Sequence, residues 1–167
     1  MNVSSEFEDV RNKIIRIKED SLAKLLMKNS HLTEIQLETF LIDIMAEDLI
    51  EKKMGYEEKS KIRLNKIKIS RGAFNRTLKQ AKTNIFNSIY TIFLLGYLGI
   101  LDSPTLNPFI ETSNKLKGYI EIYNNVWEEL KKKPVDKNKL ESVSLLRKEL
   151  ESSLFDLLSF KIITKAL

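Results

Sequence analysis

The stretch Ile67-Lys68-Ile69-Ser70-Arg71-Gly72-Ala73-Phe74-Asn75-Arg76-Thr77-Leu78-Lys79-Gln80-Ala81-Lys82 decides how this chain is read. Ser70 is a helix-capping residue type. Phe74, Leu78 and Ala81 follow at helical spacing and form a side for a core. Between them stand Arg71, Asn75, Arg76, Lys79 and Lys82, a second side suited to a polyanion.

The charge around this helix is concentrated. The chain carries 28 Lys and Arg against 23 Asp and Glu, a net +5 over 167 residues. From Glu51 to Lys82 there are eleven basic and three acidic residues, so this segment holds +8 and the remainder sums to −3. Localised basic charge argues for a phosphate-bearing partner more strongly than total charge does. Cysteine is absent, which excludes a disulfide scaffold, a thiolate nucleophile and a Cys-ligated zinc. The N-terminus has early acidic residues and no apolar h-region, so the expectation is a cytoplasmic chain.

Three Pro and five Gly in a Lys-, Ile-, Leu- and Glu-rich chain favour helices over sheet. The expected fold class is all-α, a single helical domain over 1–167 with about six helices. Phe7, Val10, Ile14, Ile17 and Leu25 predict a first helix from Ser5 to Lys28. Thr33 and Gln36 form a capping box for a second helix, with Ile35, Phe40, Leu41, Ile44, Met45 and Leu49 as its buried face and Gly55 as its stop. A short helix follows from Tyr56 to Leu64 or Ile67. The long helix opened by Ser70 reaches Leu98. From Ile89 to Leu101 it is nearly all apolar, which predicts burial on every side. That run is shorter than the roughly twenty residues a membrane span needs. Asn107 caps the next helix with Pro108 in its first turn, and Asp136 caps the last, giving an antiparallel hairpin over 107–167.

A helix-turn-helix protein lays its second helix in the DNA major groove. Arg71, Gly72, Asn75, Arg76 and Lys79 fall on one face of the helix, where Arg suits guanine and Asn suits adenine in bidentate contacts. Gly72 would let the backbone approach closely. Lys59, Lys61, Arg63, Lys66, Lys68, Ser70 and Lys82 are candidates for phosphate contacts, which raise affinity without reading sequence.

Three pieces also carry a resemblance. Leu32-Thr33-Glu34-Ile35-Gln36-Leu37-Glu38 resembles the LTxxQxE helix start in the promoter-reading C-terminal region of bacterial sigma factors and related helix-turn-helix proteins. Tyr56-Glu57-Glu58 is similar to the YxEIA start of their scaffold helix, and Ile69 to Ala81 resembles their ISxGTVxxRLxRA recognition helix. The pieces come in the family's order and cover 32–82. The resemblance implies a helix-turn-helix there, with Arg71, Asn75, Arg76 and Lys79 in the major groove of double-stranded DNA. The connection from Tyr56 to Ser70 is longer than the family's short turn, and Lys59, Ser60 and Lys61 replace an apolar-small pair.

The remaining constellations are weaker. Asp43, Glu47 and Glu51 repeat along one helix, but di-iron bundles need Glu-x-x-His pairs and the single histidine, His31, lies off that row. They read as a solvated acidic face, or one that pairs with the Lys-rich segment. Tyr119, Tyr123 and Trp127 read as hairpin core. No active site, metal or cofactor is expected. The expected function is a sequence-reading DNA-binding protein, a transcriptional regulator, with the outer helices as homodimer or protein-partner surfaces and no membrane. The alternatives are a helical interaction module for an acidic protein, or a binder of structured RNA through the same stripe.

Overall fold

Seven helices and no strand occur among the described residues, which in this computed structural model are 3–50, 55–64, 69–132 and 137–158. The helices are α1 (Val3–Glu19), α2 (Ser21–Lys28), α3 (Glu34–Ile50), α4 (Tyr56–Ile62), α5 (Arg71–Tyr97), α6 (Ser103–Lys132) and α7 (Lys137–Leu158). The fold class is all-α. Composition predicts a single domain, but the chain divides into two compact units, 1–91 and 92–167.

In the first unit, the single helix predicted from Ser5 to Lys28 is two helices. Asp20 breaks it, because its carboxylate accepts the Ala23 N–H at 2.8 Å and caps α2. Thr33 and Gln36 form the predicted reciprocal cap of α3: Thr33 N–H donates to Gln36 Oε1 at 3.0 Å and Gln36 N–H to Thr33 Oγ1 at 3.3 Å. The residues before Gly55, 51–54, lie outside the described residues, and with them the helix end predicted there. Gly55 precedes α4, and its N–H donates to Glu58 Oε2 at 3.1 Å.

Val10 and Ile14 of α1, Ile42 and Ala46 of α3, Ile62 of α4 and Phe74 of α5 form one buried cluster. Removing a ring such as Phe74 from a core of this kind costs about 3–5 kcal/mol. The predicted face of α3 holds in part: Leu41 and Met45 pack against this cluster. Ile35 and Ile44 are exposed, while Gln36, Glu38, Thr39, Ile42 and Ala46 are buried. Apolar residues surround α3 on several sides, so periodicity alone does not choose a face. Polar partners do: Thr39 Oγ1 donates to the Ile35 carbonyl at 2.7 Å, and Glu38 Oε1 accepts the Leu64 N–H at 3.0 Å.

In the second unit, α6 and α7 pack as a hairpin. Lys115 faces Glu149 and Lys139 faces Glu129, so moving back along α6 is moving forward along α7, as in an antiparallel pair. Tyr119 is buried and stacks on Tyr123, which in turn meets Trp127, placing the aromatic trio in the hairpin as expected. Pro108 lies inside α6 rather than in its first turn, since the helix begins earlier with the Leu106 N–H donating to the Asp102 carbonyl at 3.0 Å. Asp136, the predicted cap of α7, lies outside the described residues.

The predicted burial of 89–101 is overturned. Ile89, Tyr90, Ile92, Phe93, Leu94, Tyr97 and Leu98 are all exposed. No helix among the described residues is long and apolar enough to cross a membrane. The end of α5 is closed at Gly99, whose φ is +71°. Gly99 N–H donates to the Gly96 carbonyl at 3.0 Å and Ile100 N–H to the Leu95 carbonyl at 2.9 Å, the paired bonds of a Schellman motif.

Candidate nucleic-acid interface

The start of α5 is set by the residues around it. The Ser70 hydroxyl accepts the Ala73 N–H at 3.2 Å, and its carbonyl accepts the Phe74 N–H at 3.0 Å. Phe74 is buried against the edge of the Tyr56 ring, with centroids 5.5 Å apart and planes at 68°. The Tyr56 hydroxyl donates to the Ile69 carbonyl, one residue before the cap. Ring and hydroxyl of Tyr56 thus tie the first turn of α5 to α4.

A carboxylate ties the same elements together further along. Asp43 on α3 accepts Lys59 of α4 at 2.7 Å on one oxygen and Lys82 of α5 at 2.8 Å on the other. Burial pushes the Asp43 carboxyl up, but the hydrogen bonds and positive charges of Lys59 and Lys82 outweigh it, so its pKa lies below the ordinary value. On the opposite flank, Glu38 lies 3.7 Å from Arg63 Nε and 3.8 Å from Lys18, while Arg11 donates to the Arg63 carbonyl at 2.6 Å. Midway along α5, Asn84 donates to the His31 carbonyl at 2.8 Å and to Gln36 at 3.3 Å.

This arrangement divides the cations picked out in the sequence. Lys59 and Arg63 are buried and face carboxylates, so neither lies on a surface that a phosphate could reach. Lys82 is about half exposed, but its ammonium is held by Asp43. Ser70 is exposed, with its hydroxyl engaged as the cap. Lys61 is exposed at the end of α4. Lys66 and Lys68 lie outside the described residues. Arg71, Gly72, Asn75, Arg76 and Lys79 are all exposed on the first turns of α5. Among the described residues, no hydrogen bond or ion pair holds the side chains of Arg71, Asn75, Arg76 or Lys79. Their donors face solvent on a helix start fixed from behind.

Sequence reasoning misses Tyr56 as an anchor; for Asp43 it leaves a solvated face or pairing with the Lys-rich segment open, and Asp43 takes the second. The signal for Asp43 is the Lys-rich composition of α4 and α5, which demands a counter-charge wherever a Lys is carried inside. Among the described residues no group of His, Cys, Asp or Glu is placed to hold a metal ion. No protein-family model, curated protein or solved structure matches the chain.

Proposed function

We propose that this chain binds double-stranded DNA and reads its sequence with the first turns of α5, acting as a transcriptional regulator. The observation that carries the reading is the state of Arg71, Asn75, Arg76 and Lys79. All four are exposed on one face, and none is held by another side chain among the described residues. Side chains left in this state by the fold are available for base edges, and guanidinium and amide groups are those that match guanine and adenine. The order α3, α4, α5, with α5 entering through Ser70, is the order that the sigma-factor resemblance calls for.

The reading predicts saturable binding to duplex DNA that weakens steeply with salt. Selection from a randomised duplex pool, followed by anisotropy titrations at several salt concentrations, tests it. Enrichment of one sequence family, lost on Arg71→Ala, supports the reading. No duplex binding at low salt ends it. Capture of an acidic protein in place of DNA would move the same face to the interaction-module reading.

A further inference from the structure

A cleft of about 280 Å³ opens in the first unit between α3 and α5. Among the described residues two cations, Lys18 and Arg63, and two anions, Glu34 and Glu38, line it. Ile35, Ile69 and Ala73 add apolar wall. The charges are paired, but loosely. Lys18 lies 3.6 Å from Glu34 and 3.8 Å from Glu38, and Arg63 Nε lies 3.7 Å from Glu38, all longer than a hydrogen bond. Buried polar groups ordinarily have their hydrogen bonds satisfied. Arg63 and Glu38 are only 7% and 4% exposed, yet Arg63 Nε has no hydrogen-bond partner. Glu38 uses Oε1 on the Leu64 N–H, and no hydrogen bond reaches its Oε2 among the described residues. The fold therefore leaves hydrogen-bonding capacity of both signs unused beside one cavity.

We propose that this cleft binds a small zwitterion, a free α-amino acid with an aliphatic side chain. Its carboxylate accepts from Lys18 and Arg63, its ammonium donates to Glu38 and Glu34, and its side chain packs on Ile35, Ile69 and Ala73. The charge set selects this class. An anion alone would meet two carboxylates it cannot neutralise, and a cation alone would meet Lys18 and Arg63. A ligand with both signs on one carbon answers side chains of opposite sign that stand 3.6–3.8 Å apart. The cavity falls at the lower edge of the roughly 300–1,000 Å³ of ligand pockets, which suits a molecule of amino-acid size. Ala73 belongs to α5, two residues before Asn75, so an occupant touches the helix that carries the candidate DNA contacts. The proposal itself does not rest on the nucleic-acid reading.

Calorimetric titration of the full chain with L-leucine, L-valine and L-methionine, in the absence of DNA, tests it. Saturable binding of at least one is expected. For leucine, isocaproate lacks the ammonium and isoamylamine lacks the carboxylate, and each should bind about tenfold more weakly or worse than the amino acid. Lys18→Met should weaken the amino acid by a similar factor with helicity unchanged. Ala73→Leu, at an exposed position on α5, should fill the cleft and abolish binding. No saturable heat with any of the three amino acids overturns the proposal. Binding of isocaproate or isoamylamine as tight as that of leucine overturns it too, as does a folded Ala73→Leu chain that binds like the wild type.

Discussion

Lys59 of α4 is buried with its ammonium 2.7 Å from the carboxylate of Asp43 on α3. The second oxygen of that carboxylate holds Lys82 of α5 at 2.8 Å, so one side chain joins three helices. Removing one partner of a buried pair strands the other charge. Asp43→Ala is therefore expected to destabilise the first unit by about 3–5 kcal/mol. Urea titration monitored by circular dichroism measures this. A loss no larger than that of an exposed surface pair would show that water reaches Lys59 freely.

The same carboxylate gives a pH dependence. Its folded pKa lies below the unfolded value, so its contribution is fully present above the ordinary carboxylate range and disappears as pH falls through the lowered folded value. Stability measured from neutral to acid pH should therefore fall more steeply in the wild type than in Asp43→Asn. Equal slopes for the two would mean that other carboxylates dominate the acid limb.

For DNA, the exposed residues should separate by role. Arg71→Ala and Asn75→Ala are expected to cost about 1–3 kcal/mol on the preferred duplex and much less on others. Lys61→Ala should weaken all duplexes alike and flatten the salt slope by about one unit. Lys59→Met, at a buried position, should alter folding and leave the salt slope per folded molecule unchanged. Parallel titrations on specific and scrambled duplexes distinguish the three.

Gly72 offers a test in which stability and binding move in opposite directions. A Cβ there would meet only Ser70 Oγ, at 3.9 Å, which is an ordinary contact. Gly72→Ala should therefore raise stability, by up to about 1 kcal/mol, through helix propensity. If the backbone lies against a base edge, the same methyl group should reduce DNA affinity. Higher melting temperature with unchanged affinity would place the duplex elsewhere.

At the other end of α5, Gly99 adopts φ +71°, and a Cβ there would meet nothing within 4 Å. Gly99→Ala should cost about 1–2 kcal/mol, from backbone conformation rather than crowding. Gly96→Ala, where the nearest atom is the Leu101 carbonyl at 3.7 Å, should cost less. Thermal melts of the two variants side by side check the order.

Local features were legible in the chain. The Thr33 and Gln36 cap, the Ser70 cap, the end of the long helix near Leu98 and the core positions Phe74 and Ala81 are set by bonds and side chains within about one turn of each other. The candidate face was legible for the same reason, since the spacing of Arg71, Asn75, Arg76 and Lys79 follows from helical pitch. Asp20 was the local signal left unread, a capping residue inside an apparently continuous stripe.

The sequence by itself determined the all-α class, the caps at Thr33 and Ser70, and a basic segment concentrated between 51 and 82. Only the tertiary structure decided which cations in that segment remain open. Lys59 and Lys82 find their counter-charge sixteen and thirty-nine residues away, at Asp43. It also chose the buried face of α3 and left the apolar end of α5 on the surface. Helical pitch and capping act over three or four residues and are written in local order. Burial and ion pairing depend on which distant elements meet, and a uniformly apolar helix or a uniformly basic stretch does not encode that choice in its own spacing.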